Sequence, residues 1–353
     1  MQNVSCVDMT PFRRRRDSVE GVVACVNMWQ SLVSYGAVIV RDPLYIQDAE
    51  NDMTALMCRY FEQPEEAKRI DERALGGHQV GCSPSFLEKP YDRSACIRQT
   101  GAELLPVLHA AQDMGPGKRR DPKERFFIPH RQEEPHLASM FPYQSQQPVT
   151  PEAFLDVWDD VTHKWGQSML KTIMGVAEIA ALGAGEDSHL FSSLLVYGQH
   201  LIAPTGSDLD LWGENDGLML AYEHDDLNFL TGHGRATCQG LYILTQQGKW
   251  VLVRVPPGYV LIQAGQQMEI VTGGAVKAGI HCVMTVPQMR EYVEARREEG
   301  RIPWRTTTTF FATAYADIRL EPLGKFRSED ALAHYPPIYA GKQVEREIAL
   351  IGI

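Results

Sequence analysis

Five residues in the second half of the chain have the types and order to build one site: His224, Asp226, His281, Arg305 and Thr307. The stretch "AYEHDDLNFL" (221–230) places His224 and Asp226 two positions apart among apolar residues that favour a strand. Burying an imidazole and two carboxylates there is costly unless they find partners. Strand side chains alternate faces, so His224 and Asp226 are expected to share one face and Asp225 to point to the other. His281 sits in a second strand-like run, "KAGIHCVMTV". If both runs line one cavity, two imidazoles and a carboxylate converge. That donor set fills one face of an octahedron and leaves three positions open, the arrangement of non-haem Fe(II) sites that bind oxygen beside an organic co-substrate. The H-x-D spacing alone fits equally well a solvated strand end with His281 as a satisfied core histidine.

A third element tips the balance. "WRTTTTFF" puts Arg305 and Thr307 on one face of a β-prone run that contains no acid. A buried guanidinium needs an anion, and a carboxylate held through both arms of its fork is the best match. The competing reading pairs Arg305 with a distant acid, Asp317 or Glu321.

Elements must hold these residues in place. Residues 3–9 suggest a short strand. Residues 17–35 suggest a helix whose apolar stripe is Val22, Val23, Val26, Met28, Leu32 and Val33. "AVIVRD" follows as a buried strand, then helices across 47–70 interrupted at Pro64. The Gly-, Pro- and charge-rich segment 71–150 reads as loops and short strands near a substrate entrance. A long helix is expected from 151, with Thr150 as cap and Pro151 at the first position, ending at Gly183. After residue 185 the period changes to two. Runs such as "SLLVYGQHL", "LMLAYEHDDLNFLT", "GLYILTQ" and "YVLIQA", separated by turn signals, predict an antiparallel barrel or double-sheet jelly roll. The expected fold is therefore mainly β with a helical N-terminal region; the resemblance set out below implies a double-stranded β-helix, cupin-like, for its core. Its parts are an N-terminal region (1–150), a supporting helix (151–184), a jelly-roll core (185–325) and a helical tail (326–353).

Composition excludes several alternatives. A formal charge of −11 argues against nucleic acid, whose phosphates need a basic face. The one basic run, Arg13–Arg16, reads as a solvated segment. No apolar run approaches the ~18 residues that span a bilayer, and the N-terminus lacks signal-peptide order. Seven scattered cysteines without a C-x-x-C pair suggest reduced thiols and a cytoplasmic setting. There is no G-x-S-x-G elbow, Walker loop or dinucleotide-binding glycine pattern.

With these residues in order, the chain resembles the Fe(II)- and 2-oxoglutarate-dependent dioxygenases, in the branch similar to isopenicillin N synthase. The H-x-D…H…R-x-S pattern of that family is matched by His224-x-Asp226, His281 and Arg305-x-Thr307. Weaker matches follow in the correct order: "SLVSYGAVIVRD", "MCRYFEQPEEAKR", "DPKERFFI" and "ALAHYPPIYAGKQVER". Two departures stand out. The family serine is Thr307, and His281 and Arg305 lie 24 positions apart where about ten is usual. The extra residues read as an inserted surface helix (288–303) that could lid the site or simply be solvated.

The resemblance implies that His224, Asp226 and His281 hold Fe(II). It implies that 2-oxoglutarate chelates the metal with its distal carboxylate on Arg305 and Thr307, and that O2 yields succinate, carbon dioxide and a ferryl oxidant that abstracts hydrogen from a small molecule. Hydroxylation, desaturation and ring formation or rearrangement are all open outcomes, in a biosynthetic role. A further co-substrate contact is expected from "LLVYGQHL": Tyr197 first, with Gln199 and His200 as alternatives. Tyr222, Phe229 and Phe311 are candidate pocket residues, and His78, Arg98 and Arg131 candidate substrate anchors. Two alternatives remain: an oxidase using Fe(II) and O2 without 2-oxoglutarate, with Arg305 holding a substrate carboxylate, or a non-catalytic ligand-binding barrel. No nucleic-acid or membrane partner is expected, and the chain should be a monomer or weak homo-oligomer.

Overall fold

Two β-sheets wrap around a shared interior in the double-stranded β-helix fold, and helices cover the outer face of the larger one. The computed structural model describes residues 4–72, 79–90, 94–103, 120–130, 147–213 and 216–351. Its strands are β1 (Cys6–Asp8), β2 (Ala37–Arg41), β3 (Gly81–Ser83), β4 (Glu124–His130), β5 (His200–Ile202), β6 (Thr205–Asp208), β7 (Met219–His224), β8 (Leu230–His233), β9 (Leu241–Leu244), β10 (Trp250–Leu252), β11 (Val260–Ala264), β12 (His281–Met284), β13 (Trp304–Thr307) and β14 (Thr309–Ala312). The larger sheet runs β1-β2-β11-β8-β14-β5-β4-β6-β13, with β3 on β4, and the smaller runs β10-β9-β12-β7. A two-stranded ribbon, β15 (Arg319–Leu320) with β16 (Ile338–Tyr339), leads into the C-terminal helix.

The helices are α1 (Thr10–Arg14), α2 (Val19–Tyr35), α3 (Gln47–Phe61), α4 (Glu65–Lys68), α5 (Ser94–Gln99), α6 (Trp158–Gly183), α7 (His189–Leu195), α8 (Leu209–Trp212), α9 (Gln266–Val271), α10 (Met289–Glu298), α11 (Glu329–His334) and α12 (Ala340–Ile351). α2, α3 and α7 pack around α6. Period-two alternation divides the larger sheet. Leu230, Ile262, Phe310 and Ala312 point into the main core with Met169 and Ile173 of α6. Thr231, His233, Leu261, Gln263, Thr309 and Phe311 alternate with them and face the interior.

Several expectations need correction. The N-terminal region does more than pack on the barrel: β1, β2 and β4 are strands of its larger sheet. The supporting helix begins at Trp158 instead of 151, because Glu152–Phe154 closes a separate 3-10 turn in which Phe154 stacks on Trp158. "SLLVYGQHL" was expected as one strand, but its first part belongs to α7. The Asp187 carboxylate accepts the His189 N–H at 2.8 Å, and Phe191, Leu194 and Leu195 bury at helical spacing.

The α2 stripe is also shifted. Met28 and Leu32 are buried, but Val22, Val23 and Val26 are 52%, 49% and 42% exposed. Gly21, Ala24, Cys25 and Ser31 take the buried face instead. The cause is close approach: a Cβ on Gly183 of α6 would lie 2.0 Å from the Cys25 carbonyl oxygen, so this contact selects small residues over hydrophobic ones. Gly36, at φ 62°, ends α2 in the left-handed region and turns the chain into β2. Arg13 departs from the solvated reading of its basic run: it forms a salt bridge with the buried Asp42 at 2.7 Å.

Candidate metal centre

Register brings the two histidines together. His224 ends β7 and His281 begins β12, and the two are direct cross-strand partners with ring centroids 4.2 Å apart. Asp226 lies past the end of β7, in the connection to β8, so strand alternation is not what turns it inward. Its backbone carbonyl accepts the Gln266 N–H at 2.8 Å, and its Oδ2 accepts the Thr231 hydroxyl at 2.6 Å. Its Oδ1 then sits 3.9 Å from Nε2 of His224 and 3.9 Å from Nε2 of His281. Asp225 stays outside this cluster, with its Oδ1 accepting Gln266 Nε2 at 2.9 Å.

The three groups could hold a metal ion. One ligand atom from each lies within 4.8 Å of the others, the sole such cluster of three among the described residues. Each imidazole aims Nε2 inward because Nδ1–H has a carbonyl to donate to: Tyr222 O at 2.6 Å for His224 and Gly279 O at 3.1 Å for His281. Burial, with His281 and Lys123 nearby, pushes the His224 pKa well below its ordinary value, so the ring is a neutral donor. Burial alone would raise Asp226, but His281, His224 and the Thr231 hydroxyl hold it below the usual carboxylate range. Two imidazoles and one carboxylate, bonded from behind and open in front, fit a divalent ion of the non-haem iron type.

Arg305 shares the cavity. β13 pairs with β6 so that Arg305 lies opposite Ser207 and Thr307 opposite Thr205, and all four line the space. The Arg305 side chain is buried, and its Nε donates to Gln239 O at 3.0 Å. No carboxylate pairs with it among the described residues. Asp317 accepts the Tyr315 hydroxyl and Glu321 pairs with Arg327, which removes the competing partners. Burial lowers the Arg305 pKa. The guanidinium nonetheless stays charged, so its fork is a carboxylate receptor.

The cavity has two lobes. The larger, about 630 Å³, runs from the triad past Arg305 to α10. The smaller, about 140 Å³, lies toward α12. Lys123, Arg125, His224, Asp226 and Phe311 border both. α10 is a fixed wall of the large lobe: its Arg296, and Arg301 just after it, pair with Glu62 at the C-terminal cap of α3 at 2.7 and 2.9 Å, and the Tyr292 hydroxyl donates to Trp304 O at 2.9 Å.

Other candidates fare differently. Tyr222 borders the small lobe. Phe229 is fully buried in the main core against Phe191. Tyr197 does not reach the cavity: α7 consumes the expected strand and leaves Tyr197 38% exposed in a turn at φ 58°. Gln199 and His200 are buried outside the cavity lining, the His200 Nδ1 accepting the Thr313 N–H at 3.2 Å. Arg98 is exposed on α5, and His78 and Arg131 lie outside the described residues.

Sequence reasoning missed several lining residues. Lys123, just before β4, and Arg125, on it, lie inside a region read as loops and short strands. Lys123 pairs with Asp121 at 2.6 Å and Glu88 at 3.0 Å, Arg125 contacts Glu88, and burial draws the Arg125 pKa down to about 9. Gln263, alone among apolar residues in "VLIQA", carried a signal: a buried amide needs partners. It donates to Gly279 O at 2.7 Å and accepts from His233 Nε2 at 3.0 Å, tying that third cavity histidine into the wall.

No family model matches the chain. Among curated proteins, it is 27% identical over 131 residues to the 2-oxoglutarate-dependent dioxygenase phqC of Penicillium fellutanum, covering 36% of each chain. It is 23% identical over 202 residues to leucoanthocyanidin dioxygenase of Malus domestica, covering 57% of this chain and 52% of that one. The chain is similar to members of the 2OG-Fe(II) dioxygenase family. The matched segments span about a third and about half the length of those relatives. Solved structures extend the likeness of fold over nearly the whole chain. A full-length Neurospora crassa protein in complex with alpha-KG superposes with TM-score 0.73 at 16% identity, covering 98% of this chain and 95% of that one. A putative 2OG-Fe(II) oxygenase family protein from Caulobacter crescentus gives 0.74 at 18%, covering 99% of both. JOX2 in complex with 2OG, Fe and JA gives 0.67 at 15%, covering 98% and 85%. No helix among the described residues is long and apolar enough to cross a membrane.

Proposed function

We propose that the protein is an Fe(II)- and 2-oxoglutarate-dependent oxygenase acting on a small molecule. The observation that carries this reading is the joint one: an inward-facing His224–Asp226–His281 cluster and a carboxylate-free Arg305 fork in the same cavity. The printed partners of the structural neighbours, thymine for the Neurospora crassa protein and JA for JOX2, support the small-molecule class. All seven cysteines are free, which supports a reducing, cytoplasmic setting.

His224 and His281 would supply two neutral lone pairs to Fe(II), and Asp226 one anionic oxygen that lowers the ion's net charge. Thr231 and Asn228 keep that oxygen aimed: Asn228 Nδ2 donates to the Thr231 Oγ1 at 3.1 Å, and Thr231 donates to Asp226. Arg305 would receive the distal carboxylate of 2-oxoglutarate, beside the hydroxyls of Thr307, Thr205 and Ser207. When bound, the metal and the 2-oxo acid supply O2-dependent oxidative decarboxylation, giving succinate, carbon dioxide and an oxidising equivalent for a substrate C–H bond. Tyr222 and Phe311 wall the approach to the triad and exclude water, and the substrate's position against them sets the outcome.

Anaerobic addition of Fe(II) and 2-oxoglutarate tests the reading. The visible charge-transfer band of the chelate is expected, followed by succinate once oxygen is admitted. Metal binding with no band and no succinate would refute it.

A further inference from the structure

We infer that the 2-oxo dicarboxylate has a port of its own. It enters, and its product dicarboxylate leaves, through the α10 end of the large lobe past Arg235, and not past the C-terminal helix. The inference rests on the proposed function. His224 and Asp226 of the triad stand in the wall common to the two lobes, His281 lines the large lobe, and each lobe has its own exposed rim. At the far end of the large lobe, Arg235, Gln239, Gln288, Glu291 and Ala295 line the cavity and are exposed. The small lobe meets solvent elsewhere, at Lys89 and Leu350.

A ligand stretched from the triad to Arg305 lies wholly within the large lobe. Its shortest way out avoids the shared wall. The lobe's volume of about 630 Å³ is in the range that holds much larger ligands, so room for passage remains. The α10 side of the opening is braced by Glu62 and by the Tyr292–Trp304 hydrogen bond.

Charge admits this route, with Arg235 beside Glu291 at this rim and Lys89 at the other, so it is the geometry that selects the port. The chain carries a formal −11 and repels a dianion at long range. At the α10 rim, Arg235 has no carboxylate partner among the described residues. Its backbone N–H is bonded to Glu50, which fixes the base of the side chain at the opening. A local cation on an acidic protein concentrates a dianion where the lobe opens. Two separate mouths carry a kinetic consequence: a substrate filling the small lobe leaves dicarboxylate exchange unobstructed.

Stopped-flow measurement of the charge-transfer band under anaerobic conditions, with Fe(II)-loaded protein and 2-oxoglutarate, reads association and release directly. Ala295→Trp should narrow the port and slow both rates together, each by about fivefold or more, with Kd within about twofold, since a constriction changes passage and not the bound state. Arg235→Glu should slow association alone by about three- to tenfold at low salt, an effect that fades as ionic strength rises. Leu350→Trp, on the other rim, should change neither rate. Gln288→Trp repeats the plug should Ala295→Trp fold poorly. Wild-type rates in both plugged variants, or slowing by Leu350→Trp instead, would overturn the port. Absence of any band in the wild-type protein would overturn the parent reading and the port with it.

Discussion

Thr231→Val isolates one hydrogen bond behind the metal centre. Thr231 is fully buried on β8, and its hydroxyl is the donor to Asp226 Oδ2, at 2.6 Å. Valine keeps the branched shape and removes the donor. A hydrogen bond to a charged group contributes about 1.5–3 kcal/mol, so the metal-free protein should lose about that much stability. Two effects then compete at the metal. A carboxylate relieved of its donor is a stronger base, which favours metal; one released from its anchor no longer presents Oδ1 to the point between the imidazoles, which disfavours it. Oδ1 must serve a position set by two Nε2 atoms each 3.9 Å away, so orientation should dominate. Partners behind a metal ligand typically contribute about 10–100-fold in affinity, and that weakening is expected here. Anaerobic calorimetric titration with Mn(II) or Co(II), with urea unfolding of the metal-free protein alongside, measures both quantities. Thr231→Ser, which keeps the hydroxyl, should restore affinity to within about threefold. A Thr231→Val affinity within about threefold of wild type would refute the orienting role.

Arg305→Gln should weaken 2-oxoglutarate binding by about 10–100-fold, the loss of a charge-assisted pair, while metal affinity is unchanged; calorimetry with each ligand separates the two. Glu62→Gln removes the shared partner of Arg296 and Arg301 and should cost about 1–2 kcal/mol, loosening α10. Hydrogen exchange confined to α10 would report it, and unchanged exchange would show that the helix is held otherwise. Acid should destabilise the fold between about pH 6.5 and 4. Burial holds His130 down at about 4 and His200 at about 3, while the unfolded chain takes up protons near pH 6.5. Below that value the unfolded state binds more protons, so stability falls with pH at up to about 1.4 kcal/mol per unit for each imidazole. His130→Gln should flatten the slope, as read by urea midpoints across the window.

The chemistry-bearing residues of this protein stand in local patterns, and the sequence by itself determined those. His224-x-Asp226, His281 and Arg305-x-Thr307 keep their types and order wherever the strands are drawn, and period-two alternation after residue 185 was enough for an antiparallel barrel or jelly roll. Position belonged to the tertiary structure. Asp226 faces its histidines from a turn held by Gln266 and Thr231, a contact no strand period encodes. Phe191, Leu194 and Leu195 suit a helix as well as a strand, and only their burial beside α6 selects α7, which carries Tyr197 away from the site. The small residues of α2 were passed over because hydrophobicity ranks valine above glycine, while the close approach of α6 reverses that order. Local periodicity records which side chains prefer to leave water. Which neighbour they meet, and so which lobe Arg305, Arg235 and Lys123 line, depends on pairing between strands far apart in the chain, and that is decided only when the sheets close.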